Sequence, residues 1–339
     1  MIPHNRPTLG QRETEATTRV ISSGWVAQGK EVEAFEDELC QFLELPSGHA
    51  VALSSGSAAL YLALWALDAR GKRVGIPVYS CASLRNAVGM AQAKPVYLDC
   101  HPHSVNVDAD ATGLTPDDIL ILPSIFGIPA RMPSAPHAPK VVEDIAQAIG
   151  ARSGHARIGA RGAVGVCSFY ATKLLTSGGQ GGVVFSRDKA LVDAVRDYRE
   201  FDCRDDQTLR FNFQMTDLQA AVGRVQLSRL PEFLTRRDDL YKIYQSCGLT
   251  MLDSAESGHS AARLRAVVRS NTPEKLIRSL EMAGIRAIVP ISRSELLDTP
   301  ERYPHARELA TTTVSLPCFP SLTDDEAWRI ASIVREHQA

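Results

Sequence analysis

Short runs rich in β-branched residues alternate with helix-forming stretches along the first two-thirds of the chain. That alternation restricts the fold more than any other feature of the sequence. Val51-Ala52-Leu53 precedes Gly56 and a helical stretch over 58–66, and Arg73-Val74-Gly75-Ile76 leads through Pro77 into a helical run over 83–92. Further strand candidates lie at 95–98, 119–122, 140–142, 164–169 and 182–185. Strands of this length separated by helices predict a mainly parallel sheet covered on both faces, with its site at the carboxyl ends of the strands. Long helices are expected over 189–199 and 216–244, the second bent near Pro231. A strand over 263–268 and a helix over 273–283 suggest a smaller α/β lobe, so the expected organisation is a large domain over 1–240 and a small C-terminal domain over 241–339.

At 339 residues with 44% hydrophobic and 22% charged, the chain is long enough for two such lobes. Its formal net charge is −2 and no Lys/Arg run stands out, which argues against nucleic acid and against an anionic membrane surface as partners. The longest apolar stretch, 119–129, is broken by Pro123 and Gly127 and is too short to span a bilayer. Residues 1–7 lack the apolar core of a signal peptide. The seven cysteines are scattered and form no Cys-x-x-Cys pair, which argues against a disulfide framework or a zinc site and fits a reducing cytoplasm.

Chemistry concentrates around Lys173. It follows Ser168-Phe169-Tyr170-Ala171-Thr172 and runs into a Gly-rich segment, Gly178-Gly179-Gln180-Gly181-Gly182. A half-buried lysine in such a setting can lose its proton near neutral pH and attack a carbonyl, as Schiff-base chemistry requires. Upstream, the strand-like Val141-Val142-Glu143-Asp144 ends in acid, with Gln147 three positions beyond Asp144. An aspartate there can pair with the protonated ring nitrogen of pyridoxal 5'-phosphate. Ser54-Ser55-Gly56-Ser57-Ala58 follows a strand and opens a helix, where free N–H groups and the dipole favour a phosphate. It is neither a Walker loop nor a G-x-G-x-x-G fingerprint. The glycine run leads into a strand, so it reads as a tight turn or as room for backbone beside a cofactor.

These segments, together with Ser23-Gly24-Trp25 to Gly29, Asn212-Phe213-Gln214-Met215-Thr216-Asp217 and Val314-Ser315-Leu316-Pro317-Cys318, resemble the DegT/DnrJ/EryC1/StrS family of aminotransferases. The resemblance implies fold type I, with a mainly parallel seven-stranded sheet and a small C-terminal α/β domain. It also implies amination of a keto sugar, nucleotide-linked in typical members, with glutamate as the expected donor. By the same resemblance Lys173 forms the Schiff base and moves protons, Asp144 holds the pyridine nitrogen protonated, and Gln147 lies near the phenolic oxygen. Ser57, the Ala58 N–H and Ser168 hold the phosphate beside Gly56. Asn212 reaches in from a second subunit, which makes a homodimer with shared sites the expected unit. Trp25 resembles a residue lining the substrate entrance.

Three departures stand on the substrate side. Cys81, among the cofactor-contacting positions, takes the place where the family commonly has an aromatic ring; Tyr79 lies two positions earlier on the same strand face. Tyr79 is a substrate-side candidate whose plainer reading is core packing, with Cys81 as a small buried residue. Gln214, another substrate-side candidate, stands where arginine is common. The family's His-Tyr segment is replaced by Ile288-Val289-Pro290-Ile291-Ser292-Arg293-Ser294-Glu295, while His305 reads as a surface or capping residue. Two other readings stay open: a cofactor-dependent elimination or dehydration, and a non-catalytic protein that binds the cofactor or a nucleotide sugar.

Overall fold

The computed structural model describes residues 1–253 and 258–338. Helices α1 (Gln11–Ser23) and α2 (Lys30–Phe42) lead into strand β1 (Ala50–Leu53) and helix α3 (Gly56–Ala66). Then come β2 (Arg73–Pro77), α4 (Ala82–Met90), β3 (Lys94–Leu98), β4 (Ile119–Pro123), β5 (Lys140–Asp144), the two-residue strands β6 (Arg152–Ser153) and β7 (Ala156–Arg157), β8 (Val164–Ser168) and β9 (Gly182–Phe185). Helices α5 (Lys189–Arg199) and α6 (Asp217–Ser246) precede β10 (His259–Ser260), β11 (Ala266–Arg269), α7 (Pro273–Met282), α8 (Pro304–Thr312), β12 (Thr313–Leu316) and α9 (Asp324–Gln338).

The main sheet has seven strands in the order β1-β9-β8-β5-β4-β2-β3. Its β8-β5-β4-β2-β3 neighbours pair in parallel, and β9 alone runs against both β8 and β1. This is the mainly parallel seven-stranded sheet of fold type I. Strands β1, β4 and β9 are buried throughout, as a sheet covered on both faces requires. Successive side chains go to opposite layers: Val51 and Leu53 join one core, Ala50 and Ala52 the other. A third core gathers Leu240, Tyr241 and Tyr244 of α6 with Val268, Leu276, Leu316, Ile330 and, from the far end of the chain, Ile2.

Three details differ from the sequence-based expectation. Helices α1 and α2 have no counterpart in it; they pack against α6, where Glu13 is buried and held by Gln226 Nε2 (2.7 Å) and Arg229 Nη1 (3.0 Å). The strand expected over 263–268 begins only at Ala266, because Arg263 adopts a left-handed φ of 51° and its guanidinium leaves to pair with Asp253 at 2.6 Å. A left-handed residue cannot continue a ladder. Helix α6 carries Pro231 inside it, as expected, as one continuous element, and the Pro231 carbonyl accepts from Thr235 Oγ1 at 3.0 Å. His305 enters α8, where Asp99 accepts from its N–H (3.1 Å) and that of Ala306 (2.8 Å), so the cap is Asp99. Among the described residues no helix is long and apolar enough to cross a membrane.

Candidate active site

Strands β1, β5 and β8 end at the same edge of the sheet, and there the chain leaves a cavity of about 300 Å³ lined by Gly56, Ser57, Cys81, Asp144, Gln147, Ser168 and Lys173. It shares Ser80, Cys81, Gln147, Tyr170 and Lys173 with an outer chamber of about 700 Å³. Small-molecule sites occupy this size range.

The serine turn is built by close backbone approach. Ser55 is the N-cap of α3, and its Oγ accepts from Ala58 N–H at 3.1 Å. The cap is therefore Ser55, which frees the exposed Ser57 hydroxyl to contact Ser83 Oγ at 3.2 Å. Ala58 itself is buried in the core, and its N–H donates to Ser55 Oγ. The N–H groups of Gly56 and Ser57 begin the first turn, where helices lack internal acceptors. Gly182 lets β9 come alongside: a Cβ there would stand 2.3 Å from the Ser55 carbonyl oxygen. Gly178 and Gly179, with φ of 77° and 140°, make the preceding turn.

Asp144 closes β5 and is buried. Its Oδ1 accepts from Ala146 N–H at 2.8 Å, and among the described residues no cation forms an ion pair with it. Burial raises its pKa, against the pull of the Ala146 N–H and the Lys173 charge. Burial lowers the pKa of Lys173, opposed by Asp144. Each group alone resists ionisation, and a protonated ring nitrogen brought against Asp144 would supply the counter-charge that the carboxylate lacks. Gln147 Oε1 accepts from Phe126 N–H at 2.9 Å, with Phe126 held at a left-handed φ of 58°. That anchors the carboxamide on the cavity wall. These residues fit pyridoxal phosphate: a buried unpaired acid, a lysine biased toward its neutral form, and a hydroxyl-lined helix start in one cavity.

Of the remaining candidates, Cys81 borders the cavity and Tyr79, Trp25, Asn212 and Gln214 lie outside it. Cys81 is exposed and lines both cavities, which corrects the expectation of a buried residue; it stands where β2 has ended and α4 has not yet covered the opening. Tyr79 is wholly buried, packed edge-on against Phe126 at 6.1 Å, and lines neither cavity. Trp25 is exposed outside both, its Nε1 donating to the Gln28 carbonyl at 3.0 Å. Asn212 and Gln214 also lie outside them; Asn212 Oδ1 accepts from Gln214 N–H at 3.0 Å. Sequence reasoning missed Arg265, His4 and Asn5, which line the outer chamber. Asn5 Nδ2 donates to the Thr172 carbonyl at 2.8 Å, next to Lys173.

The profile of the DegT/DnrJ/EryC1/StrS aminotransferase family matches residues 7–335. The chain belongs to this family. As a DegT/DnrJ/EryC1/StrS member it is a pyridoxal-phosphate-dependent aminotransferase. It is 32% identical to the erythromycin biosynthesis sensory transduction protein EryC1 of Saccharopolyspora erythraea, over 95% of this chain and 94% of that protein. It is 33% identical to dTDP-3-amino-3,4,6-trideoxy-alpha-D-glucose transaminase of Streptomyces venezuelae, over 96% and 92%. The crystal structure of the aminotransferase TlmJ from Streptoalloteichus hindustanus matches with a TM-score of 0.90 at 26% identity, covering 100% of this chain and 99% of that one.

Proposed function

We propose that this enzyme moves an amino group from glutamate onto a keto carbon of a sugar, nucleotide-linked as in the transaminase relative. The observation that carries it is that Lys173 and Asp144 line one cavity, and that Lys173 also lines the larger chamber beyond, which has room for a sugar. Pyridoxal phosphate, when bound, supplies an electron sink for the carbon that gains or loses the amino group. Lys173 Nζ, neutral more readily than an exposed lysine, holds and returns the proton on the substrate carbon in both half-reactions. Asp144 keeps a proton on the ring nitrogen. Gln147 offers an N–H to the phenolic oxygen. Ser57 and Ser168, with the first N–H groups of α3, hold the phosphate. Cys81, on the cavity wall, would cover less of a bound cofactor than an aromatic ring would.

The same proposal makes a homodimer the active unit, supported by an exposed Asn212 outside the cavity of its own chain. It treats 1–240 as the cofactor-binding domain and 241–339 as the small domain, supported by the separate third core.

The test is the visible spectrum of the purified enzyme before and after glutamate, with borohydride trapping and peptide mapping. A yellow protein that bleaches with glutamate, releases 2-oxoglutarate and carries the label on Lys173 is the expected result. A coloured protein that ignores every amino donor would overturn the proposal, and Lys173→Ala without loss of activity would do the same.

A further inference from the structure

The outer chamber is lined by two arginines for which the steps above have no use: Arg85, which is exposed to solvent, and the more buried Arg265. Arg265 stands immediately before β11 and lines the chamber together with Lys173. Its Nη1 donates to His4 Nε2 at 3.3 Å and to Ser315 Oγ at 3.4 Å, both long for hydrogen bonds, while His4 and Ser315 are 2.9 Å apart. Nε2 accepts from the guanidinium, so the imidazole is unprotonated there. Burial and the charges of Arg265 and Arg286 lower the His4 pKa to about 3, which keeps it neutral at pH 7. The partners of Arg265 therefore carry no negative charge.

Other arginines show what is missing. Arg199 meets Glu36, Arg161 meets Glu143, Arg263 meets Asp253 and Arg229 meets Glu13. Arg237 has no acid but donates to the carbonyls of Leu264 and Cys318, and lines neither the 300 Å³ cavity nor the outer chamber. Among the described residues no carboxylate lies within ion-pair distance of Arg265. Glu295 on the chamber wall attracts it only at longer range, with its own Oε2 accepting from Ser292 N–H (2.8 Å) and Oγ (2.6 Å). A guanidinium drawn out of bulk water without a counter-ion is costly, and its rigid fork matches a carboxylate. Arg265 and Lys173 line the same chamber, so an anion seated on the guanidinium shares that chamber with the reacting lysine.

We propose that Arg265, oriented by His4 and Ser315, binds a substrate carboxylate in the outer chamber, an assignment that rests on the aminotransferase reading of the site. The carboxylate has two chemical sources: the α-carboxylate of the amino donor, or an acid group on the sugar acceptor.

The experiment compares wild type with Arg265→Gln and Arg265→Lys, each loaded with pyridoxal phosphate. Calorimetry measures binding of glutarate, which has two carboxylates and nothing to transaminate, and of glucuronate, an acidic sugar. Absorbance follows the glutamate half-reaction. An unchanged cofactor spectrum and Lys173 label show that the variants fold. Loss of glutarate affinity on the order of 10–100-fold in Arg265→Gln, partly restored in Arg265→Lys, with a matching rise in the glutamate concentration for half-saturation, supports the donor as source. Glucuronate binding lost while glutamate is unaffected supports the acceptor. Equal binding of all three to wild type and Arg265→Gln overturns the proposal. If wild type ignores glutamate yet binds glutarate or glucuronate through Arg265, the amino donor is wrongly assigned and the carboxylate subsite stands.

Discussion

Gly56 and Ser168 meet so closely that a Cβ on the glycine would stand 2.6 Å from Ser168 Cβ and 2.9 Å from its Oγ. This approach sets the start of α3 against the end of β8 and turns the hydroxyls of Ser57 and Ser168 toward one cavity. Gly56→Ala must push the two elements apart. A cost of about 1–3 kcal/mol in urea unfolding is expected, with pyridoxal phosphate affinity lowered on the order of tenfold in an absorbance titration. Unaltered cofactor affinity would place the phosphate away from this turn.

Asp144→Asn retains the shape and an oxygen to accept from Ala146 N–H, and loses only the charge. The variant is expected to bind the cofactor and label at Lys173 while its half-reaction with glutamate slows on the order of 10²–10⁴-fold. A rate within threefold of wild type would remove Asp144 from ring-nitrogen pairing.

The Arg199–Glu36 pair is buried beneath β1, with Arg199 Nη1 donating to the Ala52 carbonyl at 3.1 Å and Glu36 accepting from Ala52 N–H at 2.8 Å. Arg199→Met leaves the Glu36 carboxylate, whose pKa burial already raises, with the more distant Arg196 at 3.8 Å as its ion-pair partner. Loss of about 3–5 kcal/mol is expected, with much of it recovered in the double variant Glu36→Leu/Arg199→Met. Chemical denaturation of the two proteins decides it; equal losses would mean that the backbone bonds to Ala52 matter and the charges do not.

His4 has a folded pKa of about 3, below its ordinary 6.5. As pH falls, the unfolded chain takes up this proton before the folded one. The stability contribution is therefore present above pH 6.5 and erodes as pH drops toward 3. His4→Gln, which cannot titrate, is expected to flatten this slope: melting temperatures of wild type and variant should converge or cross between pH 7.5 and 5. Parallel curves would place a titrating His4 in solvent.

Strands were legible where local sequence decides them. β1, β4 and β9 are continuous apolar runs ended by glycine, serine or proline, and Lys173 and Asp144 sit in segments whose residue types already specify their chemistry. What escaped depends on partners distant in sequence. Glu13 of α1 accepts locally from Gly10 N–H, but its buried place depends on Gln226 and Arg229 of α6. Arg265 meets His4 and Ser315 across intervals of 261 and 50 positions, which no local pattern reveals. Cys81 is exposed because of the opening it borders, a property of the assembled cavity and not of the strand that precedes it.

Helix α6 is 30 residues long, about 45 Å of continuous rod. Leu227 and Leu230 on its first half belong to a core beneath the main sheet; Leu240, Tyr241 and Tyr244 on its second half belong to the third core. No loop interrupts it between the two, so neither core can melt without fraying the helix that the other depends on. Local openings are thereby discouraged from staying local, and the cofactor cavity inherits cooperativity from packing at the far end of the rod.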